Sequence, residues 1–427
     1  MSKQESKTLK INHHSYLYSL ELEGIHCFKD WQSLDLSNGK DNYSPWTIIL
    51  GDNGTGKTTL LKVLDRMQPF EDIVSMRNVK MKVPLYLWNQ VDNKDFISKE
   101  LKADLKIINN KNIYELHIYT EKEDTFNTFA LDVCNVFLLS YGASRRMSKS
   151  PNVSSMNNKD RITSLFDDSI ELINAEEWFL QKEMISLKSE LSTKEKFQRQ
   201  FNLVKSILID ILPDVEDIRV KPINENNSKL LLEVNTPYGW VNLRNLSFGY
   251  QTLTALIVDI AAKMMEQYPD SENPLAEPVI ILIDEIDLHL HPKWQRTVLD
   301  KLSEYFPKAQ FIATSHSPLI VQAAQDKGAN IVVCRKEGDK VIIDNNPDEV
   351  KGWRIDQILV SDLFEVESSR SANTQKKVDE YINSKGLGDE KENIKADLPE
   401  ELKSAIASEP ESELDKKLKD FANKYLK

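Results

Sequence analysis

The chain has 427 residues, with 55 Lys and Arg against 67 Asp and Glu, giving a formal net charge of −12. That length allows one large domain or two to three of about 150 residues. The acidic balance excludes a chain coated in basic charge for nonspecific nucleic-acid binding, while leaving room for a local basic groove. Apolar residues at 40 % and charged residues at 29 % exclude intrinsic disorder as the general state.

The chain starts with MSKQESKTLKINHHS, which lacks the apolar core of a signal peptide. The cysteines Cys27, Cys134 and Cys334 are odd in number and far apart, with no CxxC pair, so a reducing compartment is expected. The most apolar run, VIILI at 279–283, is far shorter than the roughly 20 residues a membrane helix needs. Together these predict a cytoplasmic protein with no membrane partner.

Residues 16–36 alternate apolar and polar side chains, as one or two strands do. WTIIL at 46–50 is wholly apolar and reads as a strand buried on both faces. GDNGTGKTT follows, and LLKVLDRM then has helical spacing and stops before Pro69. Between 79 and 140 the runs VPLYLW, ADLKII, IYELHIYT and VFLLSYG predict an antiparallel β annex inserted after the first helix. The Ser- and Asn-rich stretch 142–160 reads as a loop.

From 160 to 213 the pattern becomes helical. Leu180, Met184, Leu187 and Leu191 form one stripe, and Phe197, Phe201, Val204, Leu208 and Ile211 form another, with Ser192-Thr193 between them. Either a helical arm or two amphipathic core helices would produce this spacing. A hairpin (215–243), a helix (247–268), a buried strand (279–283), a helix (292–305), a strand (310–314), a helix (317–325) and a hairpin turning at Glu337-Gly338-Asp339 complete a head spanning 1–370. The remainder, 371–427, mixes Lys with Asp and Glu and reads as a charged tail, helical or partly disordered.

Four motifs carry the chemistry. The run Gly51-Asp52-Asn53-Gly54-Thr55-Gly56-Lys57-Thr58 fits GxxxxGK[ST] between an apolar strand and a helix. Its glycines let backbone N–H groups converge on phosphate at a helix N-terminus. Lys57 suits β/γ-phosphate charge, Thr58 suits Mg²⁺, and Asn53 and Thr59 are taken with them as nucleotide-binding. The strand at 279–283 ends in Asp284-Glu285, which sets two carboxylates at the edge where α/β sheets bind ligands. Asp284 is expected to reach Mg²⁺ through water, and Glu285 to orient or polarise the attacking water.

LSFGYQ at 246–251 opens a helix at which Ser247 and Gly249 could grip a γ-phosphate, or which is simply N-capped. ATSHSP at 313–318 places His316 at a strand end, either as a γ-phosphate sensor or as a packing residue. Asp287, His289 and His291 could point to a metal or to a structural loop. Arg145-Arg146 could contact phosphate or nucleic acid, or lie on an ordinary surface loop.

In this order the motifs resemble the ATPase head of the SMC/RecF/OLD branch of the ABC superfamily. More narrowly, with GWRIDQIL at 352–359, they are similar to the AAA-family ATPases of bacterial antiphage systems, the PtuA component of Septu and its retron-associated relatives. The resemblance implies an α/β P-loop ATPase head with a mixed, largely parallel core sheet. It implies ATP and Mg²⁺ as ligands, and a homo-oligomer whose heads meet head to tail around ATP.

Within that assembly Gly51, Asn53, Gly54, Gly56, Lys57 and Thr58 would hold ATP in cis. Asp284, Glu285 and His316 would serve hydrolysis, Ser247 and Gly249 would reach the partner's γ-phosphate, and Asp287 would couple the two sites. Phe248 stands where the family's second signature glycine is usual. The expected function is a slow regulatory ATPase controlling a separately encoded effector, an HNH-type or other nuclease. The alternative is a RecF- or SMC-like repair ATPase that binds DNA itself.

Overall fold

The computed structural model describes residues 15–67, 81–84, 97–109, 112–121, 125–130, 136–148, 163–188, 190–221, 231–347, 350–361, 363–364, 376 and 380. Along the chain the elements are β1 (Tyr16–Ile25), β2 (Gln32–Asp35), β3 (Trp46–Gly51), α1 (Lys57–Arg66), β4 (Met81–Pro84), β5 (Ile97–Asn109), β6 (Asn112–Glu121), β7 (Thr125–Ala130) and β8 (Leu138–Tyr141). They continue with α2 (Ala175–Lys188), α3 (Leu191–Ile211), β9 (Asp217–Val220), β10 (Leu232–Thr236), β11 (Gly239–Asn242), α4 (Phe248–Gln267) and β12 (Val279–Ile283). The series ends with α5 (Pro292–Gln295), α6 (Val298–Tyr305), β13 (Ala309–Thr314), α7 (Pro318–Asp326), β14 (Asn330–Glu337), β15 (Lys340–Asp344) and α8 (Ile355–Leu359).

Strands with no polar face can only sit where both faces are covered. Accordingly β14, β3, β13, β12 and β8 run parallel side by side, with β15 antiparallel on the outer edge of β14. Successive side chains point to opposite faces, so each strand feeds two cores. Val279, Ile281 and Ile283 of β12 join one core with Ile48, Leu50, Phe311 and the helices α2, α3 and α4. Ile280 and Leu282 join the other, with Ile49, Ile312, α1 and the first antiparallel sheet. Each fully buried Ile or Leu contributes roughly 1.5–3 kcal/mol of transfer free energy, so these short strands anchor the structure despite their length.

The second six-stranded sheet is antiparallel, in the order β2-β1-β5-β6-β7-β4. The annex strands β4 to β7 therefore continue a sheet begun by the N-terminal strands. The run VFLLSYG departs from expectation: β8 pairs parallel with β12 in the core sheet. Its Leu138, Leu139, Ser140 and Tyr141 are all buried, and only a strand with both faces covered takes such a run. Residues 85–88 of VPLYLW, residues 149–160 of the loop, Cys134 and nearly all of the tail lie outside the described residues.

The helical segment combines the two possibilities left open by its sequence. Helices α2 and α3 pack together, with the Phe179 and Phe201 rings edge to face at 5.1 Å. The hairpin is rooted in the core through Ala175, Trp178, Phe179, Val204, Ile207 and Leu208. The predicted stripe of Met184, Leu187 and Leu191 is exposed, at 45 %, 74 % and 73 % respectively, because it runs off the core toward the tip of the hairpin. The break falls before Leu191, which leaves Ser192-Thr193 inside the first turn of α3.

Candidate active site

Strand β3 delivers the chain to the phosphate loop, and α1 begins at Lys57, directly after it. Gly51, Gly54 and Gly56 have φ of 139°, 81° and 80°, a region that side chains with a Cβ rarely enter. At two of them space is limiting as well. A Cβ on Gly51 would collide with the Cys334 carbonyl oxygen and lie 2.7 Å from Thr55 Oγ1. One on Gly56 would lie 2.5 Å from Cys27 Sγ and 2.8 Å from the Phe28 ring.

Asn53 and Gly54 are exposed on the loop, whereas Thr59 is buried in the first turn of α1. The Lys57 ammonium is buried and donates to the carbonyls of Gly51 at 2.8 Å and Asp52 at 2.7 Å. Desolvation lowers its pKa, against the opposing pull of nearby acidic groups, Asp284 and Glu285 among them.

The acidic turn follows β12. Thr58 Oγ1 donates to Asp284 Oδ2 at 2.8 Å, so the loop and the acidic strand are joined side chain to side chain. The other carboxylate oxygen of Asp284 accepts from Thr314 Oγ1 at 2.6 Å. That same hydroxyl accepts the Glu285 N–H at 2.7 Å. The turn is closed further by Asp284 N donating to the Tyr141 carbonyl at 2.8 Å and Ile286 N donating to the Thr314 carbonyl at 3.0 Å. Glu285 has φ of 49°, a left-handed conformation uncommon outside glycine.

Two residues that sequence reasoning missed or misread complete this turn. Thr314 lies within ATSHSP, yet nothing in its local pattern distinguishes it from a strand-end Thr. Arg145 is only 4 % exposed, and its guanidinium donates to the carbonyls of Gly142 at 3.2 Å, Asp284 at 2.5 Å and Glu285 at 2.9 Å. Burial lowers its pKa to about 10. Arg145 therefore cannot belong to a basic surface patch with Arg146, which is itself exposed.

The remaining expected residues lie around this centre. His316 is exposed, and its backbone N–H donates to Asp287 Oδ1 at 3.3 Å. Ser247 and Phe248 are exposed at the start of α4, while Gly249 is buried. A Cβ on Gly249 would collide with the His289 carbonyl and lie 3.3 Å from the Trp294 ring, so this glycine admits the 287–291 loop. Among the described residues Ser247 and Gly249 make no hydrogen bond to the phosphate loop. No group of three metal-ligating His, Cys, Asp or Glu side chains occurs among the described residues. His291 instead caps α5, its Nδ1 accepting from Lys293 N at 3.3 Å.

A glycine loop between a parallel strand and a helix, hydrogen-bonded to a buried carboxylate on the adjoining sheet edge, defines a P-loop ATPase of the α/β class. The chain belongs to the family described as "AAA domain, putative AbiEii toxin, Type IV TA system", whose model matches residues 47–322. A further AAA-domain model matches residues 19–65.

The Septu protein PtuA of Bacillus mycoides (strain KBAB4) is 28 % identical over 351 residues, covering 80 % of this chain and 44 % of that protein. The chain thus spans less than half the length of that relative. The retron Vc95 probable ATPase of Vibrio cholerae serotype O1 biovar El Tor is 25 % identical over 382 residues, with 72 % of each chain covered. These relatives agree with the resemblance drawn from the motifs. Among solved structures, the Smc head bound to the C-winged helix domain of ScpA matches with a TM-score of 0.44 at 16 % identity, over 77 % of this chain and 97 % of that one. Among the described residues no helix is long and apolar enough to cross a membrane.

Proposed function

We propose that the chain binds and slowly hydrolyses ATP as the regulatory subunit of a bacterial antiphage defence complex. Two copies would pair head to tail around ATP and control a separately encoded effector, an HNH-type or other nuclease. The observation that carries the hydrolytic part is the bond from Thr58 to Asp284, which brings the phosphate loop and the acidic turn into one site. The defence role rests on relatedness to a Septu protein and to retron ATPases.

The residues fit Mg²⁺, a hard cation that takes few protein oxygens and keeps its remaining positions for water and phosphate. The Thr58 hydroxyl and the Asp284 carboxylate are oxygen donors already in contact, and they would hold it. Bound there, it would neutralise charge on the phosphate oxygens. The Lys57 ammonium would exchange its two loop carbonyls for phosphate oxygens, a change that also relieves its desolvation. Glu285 would accept the proton of the attacking water. Ser247 and Gly249 would act on the partner's nucleotide, with His316 and Asp287 at the junction.

The test is phosphate release by the purified chain with ATP and Mg²⁺, compared with the Lys57→Ala variant. Release abolished by Lys57→Ala and by removal of Mg²⁺ is expected. Release unchanged in Lys57→Ala would overturn the proposal.

A further inference from the structure

Glu285 occupies a left-handed backbone conformation that is unfavourable for a residue with a side chain, and such conformations persist only where surrounding groups hold them. Three groups hold this one. Its N–H is bound by Thr314 Oγ1, and its carbonyl accepts both from Arg145 Nη2 and from the Leu288 backbone N–H at 3.0 Å, so both ends of the residue are tethered. Arg145 also binds the carbonyl of Asp284, and thus grips two consecutive peptides of the acidic turn.

The described hydrogen bonds of this guanidinium all end on carbonyl oxygens and none on a carboxylate. A buried cation spent on backbone carbonyls is an expensive way to stabilise a fold, because its desolvation is opposed only through space by the Asp284, Asp287 and Glu285 carboxylates and not by a hydrogen-bonded anion. Its planar fork does suit holding two adjacent carbonyls in a set direction, which a lysine ammonium cannot reproduce.

We propose that Arg145 is the positioning residue for hydrolysis: it clamps the Asp284–Glu285 backbone, and so fixes the Glu285 carboxylate without touching nucleotide. This rests on the reading of Glu285 as proton acceptor given above. The position of Arg145 is set by β8, whose Tyr141 carbonyl receives the Asp284 N–H, so the clamp and the acids share one sheet edge.

The experiment is a double-mutant cycle on the full chain, using Arg145→Lys, Glu285→Gln and both together. It measures kcat for ATP and, separately, the affinity for a non-hydrolysable ATP analogue. Arg145→Lys is expected to lower kcat by about 10- to 100-fold, the scale of a misplaced catalytic group, and to leave analogue affinity within about threefold. In the Glu285→Gln background Arg145→Lys should cause no further loss, because groups that act as one unit are not additive.

An unchanged kcat in Arg145→Lys overturns the proposal. So does an equal fold-loss in both backgrounds, which would mark a general structural role. Wild-type kcat in Glu285→Gln would instead overturn the reading of Glu285, a distinguishable result. If Arg145→Lys does not fold, Arg145→Gln, which keeps amide donors for the carbonyls, is measured in the same cycle. Failure of both variants to fold makes Arg145 structural and also rejects the proposal.

Discussion

Gly51 and Gly54 show why identical motif positions are not equivalent. Both have positive φ, but a Cβ at Gly54 meets nothing within 4 Å, whereas one at Gly51 strikes the Cys334 backbone carbonyl. Gly54→Ala should therefore cost only the left-handed penalty, about 1–2 kcal/mol. Gly51→Ala should cost more than that and displace the loop, because a backbone carbonyl in a central strand cannot move aside. Thermal unfolding of the two variants checks this, and equal losses would contradict it. The motif spacing made all three loop glycines legible. The opposing surfaces were not, because Cys27 and Cys334 reach the loop from strands and turns distant in sequence. Arg145 and Thr314 were hidden for the same reason. Their work is hydrogen bonding to a turn that lies well over 100 and about 30 residues away respectively.

At the scale of elements the α2–α3 hairpin is the instructive case. Leu208 is fully buried, and Leu191 is 73 % exposed. Leu208→Ala should cost about 2–5 kcal/mol, and Leu191→Ala within about 0.5 kcal/mol, as read from urea unfolding. Comparable costs would mean that the tip is packed in solution.

The hairpin also predicts a pH effect. Lys182 lies over the Trp178 and Phe197 rings at 5.3 and 4.7 Å. Desolvation, helped by Lys196, pulls its pKa down from 10.5 to about 8. Below pH 8 both folded and unfolded chains carry the proton, and the burial penalty is complete. Between pH 8 and about 10.5 only the folded chain loses it, so stability rises. After discounting for the partial exposure of Lys182, the gain should be about 1–2 kcal/mol. The urea midpoint of the wild type should thus rise relative to Lys182→Met between pH 7 and 10. Parallel responses in the two proteins would exclude this account. Helical periodicity was visible here in the sequence, but which stripe is buried was not, since a stripe and its neighbour differ only by what the fold sets against them.

For the whole molecule, the exposed Ser247 and Phe248 and the exposed His316 leave part of the proposed machinery facing outward from one chain. Glu285→Gln should bind ATP and turn it over far more slowly than the wild type, and should shift the chain to a larger species in size exclusion with ATP. An elution volume indifferent to ATP would argue against the head-to-tail pair. The −12 charge and the burial of Arg145 both weaken the reading of a chain that binds DNA through a basic patch of its own.

Local pattern was enough to establish the phosphate loop, the acidic strand end and the buried parallel strands. Loop chemistry and apolar runs are properties of consecutive residues, and they read the same in any context. Tertiary structure alone decided that β8 belongs to the core sheet, that the first helical stripe faces solvent, and that Arg145 serves the acidic turn. Each of these depends on which distant surface a side chain or strand edge meets, and the free energy of burial and of hydrogen bonding is settled only when both partners are in place.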